Sequence, residues 1–239
     1  MQGLYALLDP ILNLDILSRY GWKMAQGLGL TLELVAISVT LGFLAAYPIA
    51  RARIAGPWFL AWPAAGFINF FRGTPLLAQL YLIYYGSGQF HDELASIGLW
   101  PWFRDAFFCC VLSFSLNTAA YQAEVFRGAL LAVPRGQIEA AKALGLSKFR
   151  INLHVVWPQA LIVALRPLGN ELILMVKSSA IASLVTLYDL MGATKLGFSR
   201  SFDLTIYVYA ALAYLAIVEL IRRLWDAFEA RLTRHLAPR

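Results

Sequence analysis

Few residues in this chain have the type and spacing that chemistry needs. His91, His154 and His235 are separated by long apolar runs, so the sequence gives them no shared metal site. Cys109 and Cys110 are adjacent, which suits neither a useful disulfide nor a zinc ligand pair. No G-x-x-x-x-G-K-[ST] phosphate loop occurs, so the chain is read as non-catalytic, with no metal or cofactor of its own. The polar residues that do recur at helical spacing point to binding. Glu171, Met175 and Ser178 share one helix face, with Asn170 and Lys177 on a neighbouring stripe; Asn117, Tyr121 and Glu124 share another. A carboxylate at membrane depth is a functional candidate, and Glu171 suits a guanidinium or ammonium group. A structural pair between Glu171 and Arg166 or Lys177 is the competing reading. Glu124 and Arg127 stand three apart, close enough for a local ion pair near the inner end, and Ser178, Ser179 and Ser183 suit helix packing.

The elements that must position these residues are membrane helices. The 239 residues are 60% hydrophobic and 14% charged, against roughly 45–50% and about 25% for soluble chains. The formal net charge of +6 does not indicate nucleic acid, because the basic residues flank apolar runs as the positive-inside rule requires. No basic leader of the secretory type opens the chain.

Read in order, residues 1–23 are broken by Asp9, Pro10 and Asp15 and are expected to lie along the outer interface. The first span is Met24 to Ala50, with Glu33 inside it expected to meet a neighbouring helix or the outer interface. The second begins near Trp58 and is expected to break within the membrane at Arg72-Gly73-Thr74-Pro75, with Arg72 in a structural or gating role. An outer loop over residues 86–104 carries interfacial Trp100 and Trp102. The third span runs from Ala106 to about Val133, the fourth from Ala160 to about Tyr188, the fifth from Leu204 to Leu224, followed by a basic tail. Basic residues gather at Arg51 and Arg53, from Arg127 to Arg150, and from Arg222 onward. The sequence therefore implies an all-α membrane protein with five transmembrane helices, amino terminus outside and carboxyl terminus cytoplasmic. Residues 24–224 form the membrane domain, with a cytoplasmic loop at 134–158 and a tail at 225–239. No inverted repeat divides the chain, which disfavours a secondary transporter.

The loop between the third and fourth spans is the most informative stretch. Glu139-Ala140-Ala141 precede Gly145 and then Pro158, among Arg135, Lys142, Lys148 and Arg150. Small residues permit close approach, Gly145 ends a helix in the left-handed conformation, and the basic rim suits an acidic partner. EAAKALG at Glu139 to Gly145, with Pro158 at the family's distance, resembles the EAA motif of binding-protein-dependent ABC importer permeases. FFRGTPLLAQL (Phe70 to Leu80), LNTAAYQAEVFRGAL (Leu116 to Leu130) and GNELILMVKSSAIASLV (Gly169 to Val185) resemble the polar amino acid subfamily, of the type serving histidine, lysine-arginine-ornithine or opine systems. One departure is clear: the family's Ile-x-Leu-Pro reads Val155-Val156-Trp157-Pro158 here, and Trp157 is expected at the membrane interface.

The resemblance implies the type I importer permease fold in a bacterial inner membrane. It implies a second permease subunit, expected to be a paralogue, two cytoplasmic subunits that bind ATP and Mg, a periplasmic solute-binding protein and an amino acid solute. Glu139, Ala140, Ala141, Leu144 and Gly145 would dock on the ATPase. Cationic amino acids or opines are the expected cargo; neutral or acidic polar amino acids are the alternative, and an integral-membrane enzyme or a channel fits less well.

Overall fold

The computed structural model describes residues 13–234, and all regular structure among them is helical. Residues 1–12 and 235–239, which include most of the expected interfacial segment, the end of the tail and His235, lie outside the described residues. Helix α1 (Leu14–Ala55) begins well before Met24. Asn13 starts it by accepting the Asp15 N–H at 3.1 Å, and Asp15 sits in the first turn, where a carboxylate complements the helix dipole. The described part of the expected interfacial segment is thus the opening of a membrane-length helix.

The second span is interrupted as its glycine and prolines require, into α2 (Trp58–Gly73) and α3 (Leu76–Tyr84). A 3₁₀ turn (Gly86–Phe90) and two short helices, α4 (His91–Ser96) and α5 (Trp100–Phe103), lead into α6 (Ala106–Leu131). After α7 (Arg135–Ala143) and α8 (Lys148–Ile151), a π turn (Asn152–Val156) feeds α9 (Trp157–Ser178) and a 3₁₀ turn (Ser179–Leu184). Helices α10 (Leu190–Ser201) and α11 (Thr205–Thr233) complete the described chain. The helix α10 is absent from the sequence reading, and α11 continues through most of the expected tail. Among the described residues, four stretches are long and apolar enough to cross a membrane: α1, α6, Lys148–Leu184 and α11. At 16 and 9 residues, α2 and α3 each fall short of the ~20 a span needs. Of the five expected spans, the second corresponds to this broken pair, and neither of its helices is of spanning length.

The chain divides into two compact units. In the unit formed by residues 13–38, 76–114 and 174–221, Ile16, Met24, Leu190, Ala193, Ile206 and Ala210 are buried together. Gly27 lets the α1 backbone approach the start of α10, since a β-carbon there would stand 2.6 Å from the Asp189 carbonyl oxygen. One turn on, Thr31 Oγ1 accepts the Leu190 N–H at 3.1 Å and donates to the Gly27 carbonyl at 3.0 Å. Asp189 caps α10 by accepting the Gly192 N–H at 2.9 Å through Oδ1, while its Oδ2 is buried with no hydrogen-bond partner.

In the unit formed by residues 39–75, 115–173 and 222–234, alanines dominate the seams. Ala46, Ala50, Ala123, Ala129, Ala160 and Ala164 are buried around Phe126 and Ile68, as helices that pack closely in a membrane require. Gly42 continues this, because a β-carbon there would meet the Thr118 methyl at 2.4 Å. Gly169 lies under the Trp225 indole, whose Nε1 would be 2.4 Å from an added β-carbon and donates instead to the Leu165 carbonyl at 3.0 Å.

Burial pushes the Asp189 carboxyl up to about 6 from an ordinary 3.8. A folded value above the unfolded one means that this side chain favours folding most below the ordinary value, and the advantage disappears as pH rises to about 6. Asp189→Asn keeps the Oδ1 cap and removes the ionisation. Thermal unfolding of the detergent-purified protein should therefore show the wild type losing stability between about pH 4 and about pH 7, by at most ~3 kcal/mol. The variant should lose much less over the same interval.

Candidate functional site

Two regions of the second unit gather the residues with functional character. The first is built on the break between α2 and α3. Thr74 closes α2 with its N–H and its hydroxyl both on the Phe70 carbonyl, at 3.1 and 2.8 Å. Pro75 has no N–H for the Phe71 carbonyl, which would be its partner in a continuing helix. The side chain of Asn117 on α6 supplies one at 3.1 Å, and the next carbonyl, Arg72 O, receives the Tyr121 hydroxyl at 3.5 Å. The freed backbone is thus answered by side chains of α6.

Around it lies a charge cluster. Glu124 accepts from Arg53 Nη1 at 2.6 Å and from Arg127 at 2.6 and 3.0 Å. Arg72 approaches the same carboxylate at 4.0 Å and lies over the Tyr121 ring, 5.4 Å from its centroid. Three guanidiniums from α1, α2 and α6 therefore share one acid. The Glu124–Arg127 spacing was legible in the sequence; Arg53 and Arg72 join from distant positions that no local pattern connects to it.

Glu171 is 8% exposed and is held by the Thr118 hydroxyl at 3.1 Å, which in turn accepts Gln122 Nε2 at 3.0 Å. The competing structural reading, a pair with Arg166 or Lys177, is not what forms: Arg166 bonds Glu229 at 2.7 Å, and a hydroxyl takes its place at Glu171. Asn170 opens on a groove of about 500 Å³ whose lining includes Arg166, Trp225, Asp226 and Glu229. Met175 is buried and Ser178 half-buried; both fall in the part of α9 that belongs to the first unit. Asn117, Tyr121 and Glu171 are thus brought to one neighbourhood by α6 and α9, with Arg72 beside them.

The second region is the segment between α6 and α9. Pro134 precedes α7, and Gly145 ends it at φ +75° with the Leu146 N–H on the Ala141 carbonyl at 3.2 Å, the bond of a Schellman closure. Glu139 and Ala140 are exposed, but Ala141 is turned inward against a core that includes Ile138, Leu146 and Ile151. The outward apolar groups are Leu144, 81% exposed, and Phe149, 74% exposed. Phe149 was missed in the sequence, where its only signal is an aromatic ring between Lys148 and Arg150. The Gln159 side chain donates to Gln137 and to the Val155 carbonyl, tying α7 to α9. Trp157 is half-buried and packs on Tyr47 at 4.5 Å and Phe126 at 5.5 Å between centroids. Tyr47 also accepts Asn152 Nδ2 at 2.7 Å, so the π turn before Pro158 is anchored to α1. No group of three or more His, Cys, Asp or Glu side chains able to hold a metal occurs among the described residues.

A multi-helix membrane protein with a broken helical element and an exposed helical loop between two of its long apolar helices suits a permease. The chain belongs to the family described as binding-protein-dependent transport system inner membrane component, whose model matches residues 38–234. It is 42% identical over 207 residues to the octopine transport system permease protein OccM of Rhizobium radiobacter, covering 86% of this chain and 84% of that one. It is 36% identical over 234 residues to the histidine/lysine/arginine/ornithine transport system permease protein HisM of Escherichia coli, covering 94% and 98%. A crystal structure of an amino acid ABC transporter with histidines superposes with a TM-score of 0.78 at 33% identity, over 90% of this chain and 96% of that one. The inward-facing MetNI methionine ABC transporter gives a TM-score of 0.72 at 22% identity, covering 89% and 97%, a likeness of fold.

Replacing Glu124 by Gln leaves three guanidiniums without a counter-charge. The loss of charge-assisted hydrogen bonds should lower stability by about 1–3 kcal/mol, whereas Arg127→Gln, which leaves two arginines on the acid, should lower it by less. Thermal unfolding of the purified variants in detergent measures both.

Proposed function

We propose that this chain is the membrane subunit of an ATP-driven importer of polar amino acids with cationic side chains, or of opines. The observation that carries this reading is the company the chain keeps: relatives named for histidine, lysine, arginine and ornithine, for arginine, and for octopine and nopaline align over most of its length. Five crossings, with the broken α2–α3 pair as the second, put the amino terminus outside and the α7 segment inside, in keeping with the basic residues around it.

In this reading a second permease subunit, a paralogue, completes the pathway, a periplasmic solute-binding protein delivers the amino acid, and two cytoplasmic subunits bind ATP and Mg and carry out hydrolysis. Glu139, Ala140, Leu144 and Gly145 form the surface gripped by the ATPase, joined by Phe149, while Ala141 fixes the helix to the core behind it. Nucleotide-driven closure pulls α7, and Gln137–Gln159 and the anchored π turn pass the displacement to α9. Glu124 with Arg127 and Arg72 holds the gate, and Asn117, Tyr121, Asn170, Glu171, Met175 and Ser178 are the candidate solute contacts. For Glu171 to serve, Thr118 must release it during the cycle, a change that the inward- and outward-open states can supply. Neutral or acidic amino acids are the alternative cargo.

Two measurements test the reading. Glu139→Lys or Ala140→Leu should leave the assembled complex intact while reducing ATP-dependent uptake roughly tenfold or more, the scale of one strong docking contact; an enzyme or channel would be indifferent. Glu171→Gln should weaken uptake of arginine more than that of a neutral amino acid, read as a change in the ratio of the two rates. Equal losses would remove Glu171 from the solute path.

A further inference from the structure

Within the second unit, α9 and the last part of α11 enclose the groove of about 500 Å³, a volume within the range of ligand sites, roughly 300–1,000 Å³. Two of the charged groups that line it are incompletely used. Arg166 gives its Nε to Glu229 at 2.7 Å. Its side chain is 85% exposed, and no hydrogen bond from either of its Nη groups is present among the described residues. Asp226 accepts from Arg222 Nη1 at 3.3 Å through Oδ2, and among the described residues no hydrogen bond reaches its Oδ1. Asp226 and Glu229 are three apart on α11, so the guanidinium held at Glu229 and the Asp226 carboxylate are separated by about one helical turn, ~5 Å along the axis.

The groove lies where hydrocarbon gives way to headgroups. From Thr205 to Ile221, α11 carries a single charged residue, Glu219, and Arg222 and Arg223 follow at once. About 20 residues cross the hydrocarbon, so a crossing that begins at Thr205 ends beside Trp225, and tryptophan is enriched at that boundary. Arg166 meets Glu229 while Gly169 meets Trp225, so the two helices run antiparallel here. Ile173, which lines the same groove, therefore stands on the hydrocarbon side of Arg166, about 10 Å further along α9.

This arrangement selects its occupant by charge. A purely anionic headgroup would leave the Asp226 carboxylate unanswered, and a purely cationic one would leave Arg166 so. Phosphoethanolamine answers both: its phosphate oxygens suit the paired Nη donors of a guanidinium, and its ammonium donates to a carboxylate oxygen. The two-carbon link between them matches a separation of one helical turn, and acyl chains can continue past Ile173. Basic pockets between membrane helices are recurrent headgroup sites.

We propose that this groove binds one molecule of phosphatidylethanolamine, with its phosphate on Arg166 and its ammonium on Asp226. The site requires that the chain lie in a membrane and is independent of the cargo. A soluble amino acid carries the same two kinds of charge and is the rival occupant, because Asn170 opens on the same groove.

The test is native mass spectrometry of the complete transporter, delipidated in detergent and titrated with phosphatidylethanolamine, phosphatidylglycerol or phosphatidylcholine. The wild type should retain phosphatidylethanolamine saturably and in preference to the other two, and a photoactivatable analogue should label peptides containing Arg166 or Asp226. Arg166→Gln should weaken retention roughly tenfold, the scale of a charge-assisted hydrogen bond, with Arg166→Lys between the two. Asp226→Asn should move the preference from phosphatidylethanolamine toward phosphatidylglycerol, a change of ratio that loosened folding does not produce. The inference is overturned if Arg166→Gln retains the lipid as well as the wild type or if the label maps elsewhere. It is overturned equally if glycerophosphoethanolamine or arginine at the same concentration displaces the lipid, or if benzoylphenylalanine at position 230 labels a protein chain instead of lipid. Arginine uptake by the reconstituted complex is measured alongside: active uptake without the lipid site removes this inference alone, and a lipid site without uptake counts against the importer reading alone.

Discussion

The Glu124 carboxylate is the point at which α1, α2 and α6 are held to one another in the second unit, through Arg53, Arg72 and Arg127. A single acid among three guanidiniums is an uneven arrangement. Its value lies in the geometry of carboxylates, which have two oxygens and about four lone-pair directions and can accept from several sides at once. The Arg53 bond reaches Oε2 while both Arg127 bonds reach Oε1, so the two close arginines do not compete for the same atom. Arg72, at the longer distance, is steadied by the Tyr121 ring. The rest of the unit depends on this junction because the seams beside it are built from alanine and glycine, which bring backbones close but have little side-chain surface to hold them in register.

The broken element beside the junction shows how polar side chains become part of the backbone accounting. In water, the carbonyls released at Pro75 would be solvated; at membrane depth they need protein donors. Asn117 and Tyr121 supply them. Both are also candidates for touching a solute, and the two roles are compatible only if the α2–α3 break and the solute path share a wall. The same logic operates in the first unit, where Thr31 answers a backbone N–H of α10 and Asp189 another.

The sequence was most readable where a local rule had one outcome. The break at Arg72 to Pro75, the end of α7 at Gly145 and the pairing of Glu124 with Arg127 all follow from residue type and spacing within a turn or two. It was least readable where partners came from far along the chain. Thr118 rather than a base at Glu171, Glu229 for Arg166, and Tyr47 and Phe126 around Trp157 are contacts set by tertiary packing, which no periodicity encodes. Helix α10 was lost because Thr194, Lys195, Ser199 and Arg200 dilute its apolar pattern, although Asp189 ahead of it was a legible cap. The early start of α1 was lost for a different reason: Asp15, counted as a helix-breaking charge, stands in the first turn where it is welcome.

Pro167 would ordinarily make α9 a compliant rod, since it deprives one carbonyl of its partner and opens room for flexing. In this chain the Trp225 indole lies across that stretch, bonded to Leu165 and seated on Gly169. The ring acts as a splint. A push delivered at Trp157 meets stiffness instead of a joint over Leu165 to Gly169, and travels to Asn170 as translation of a strut rather than being absorbed as a bend.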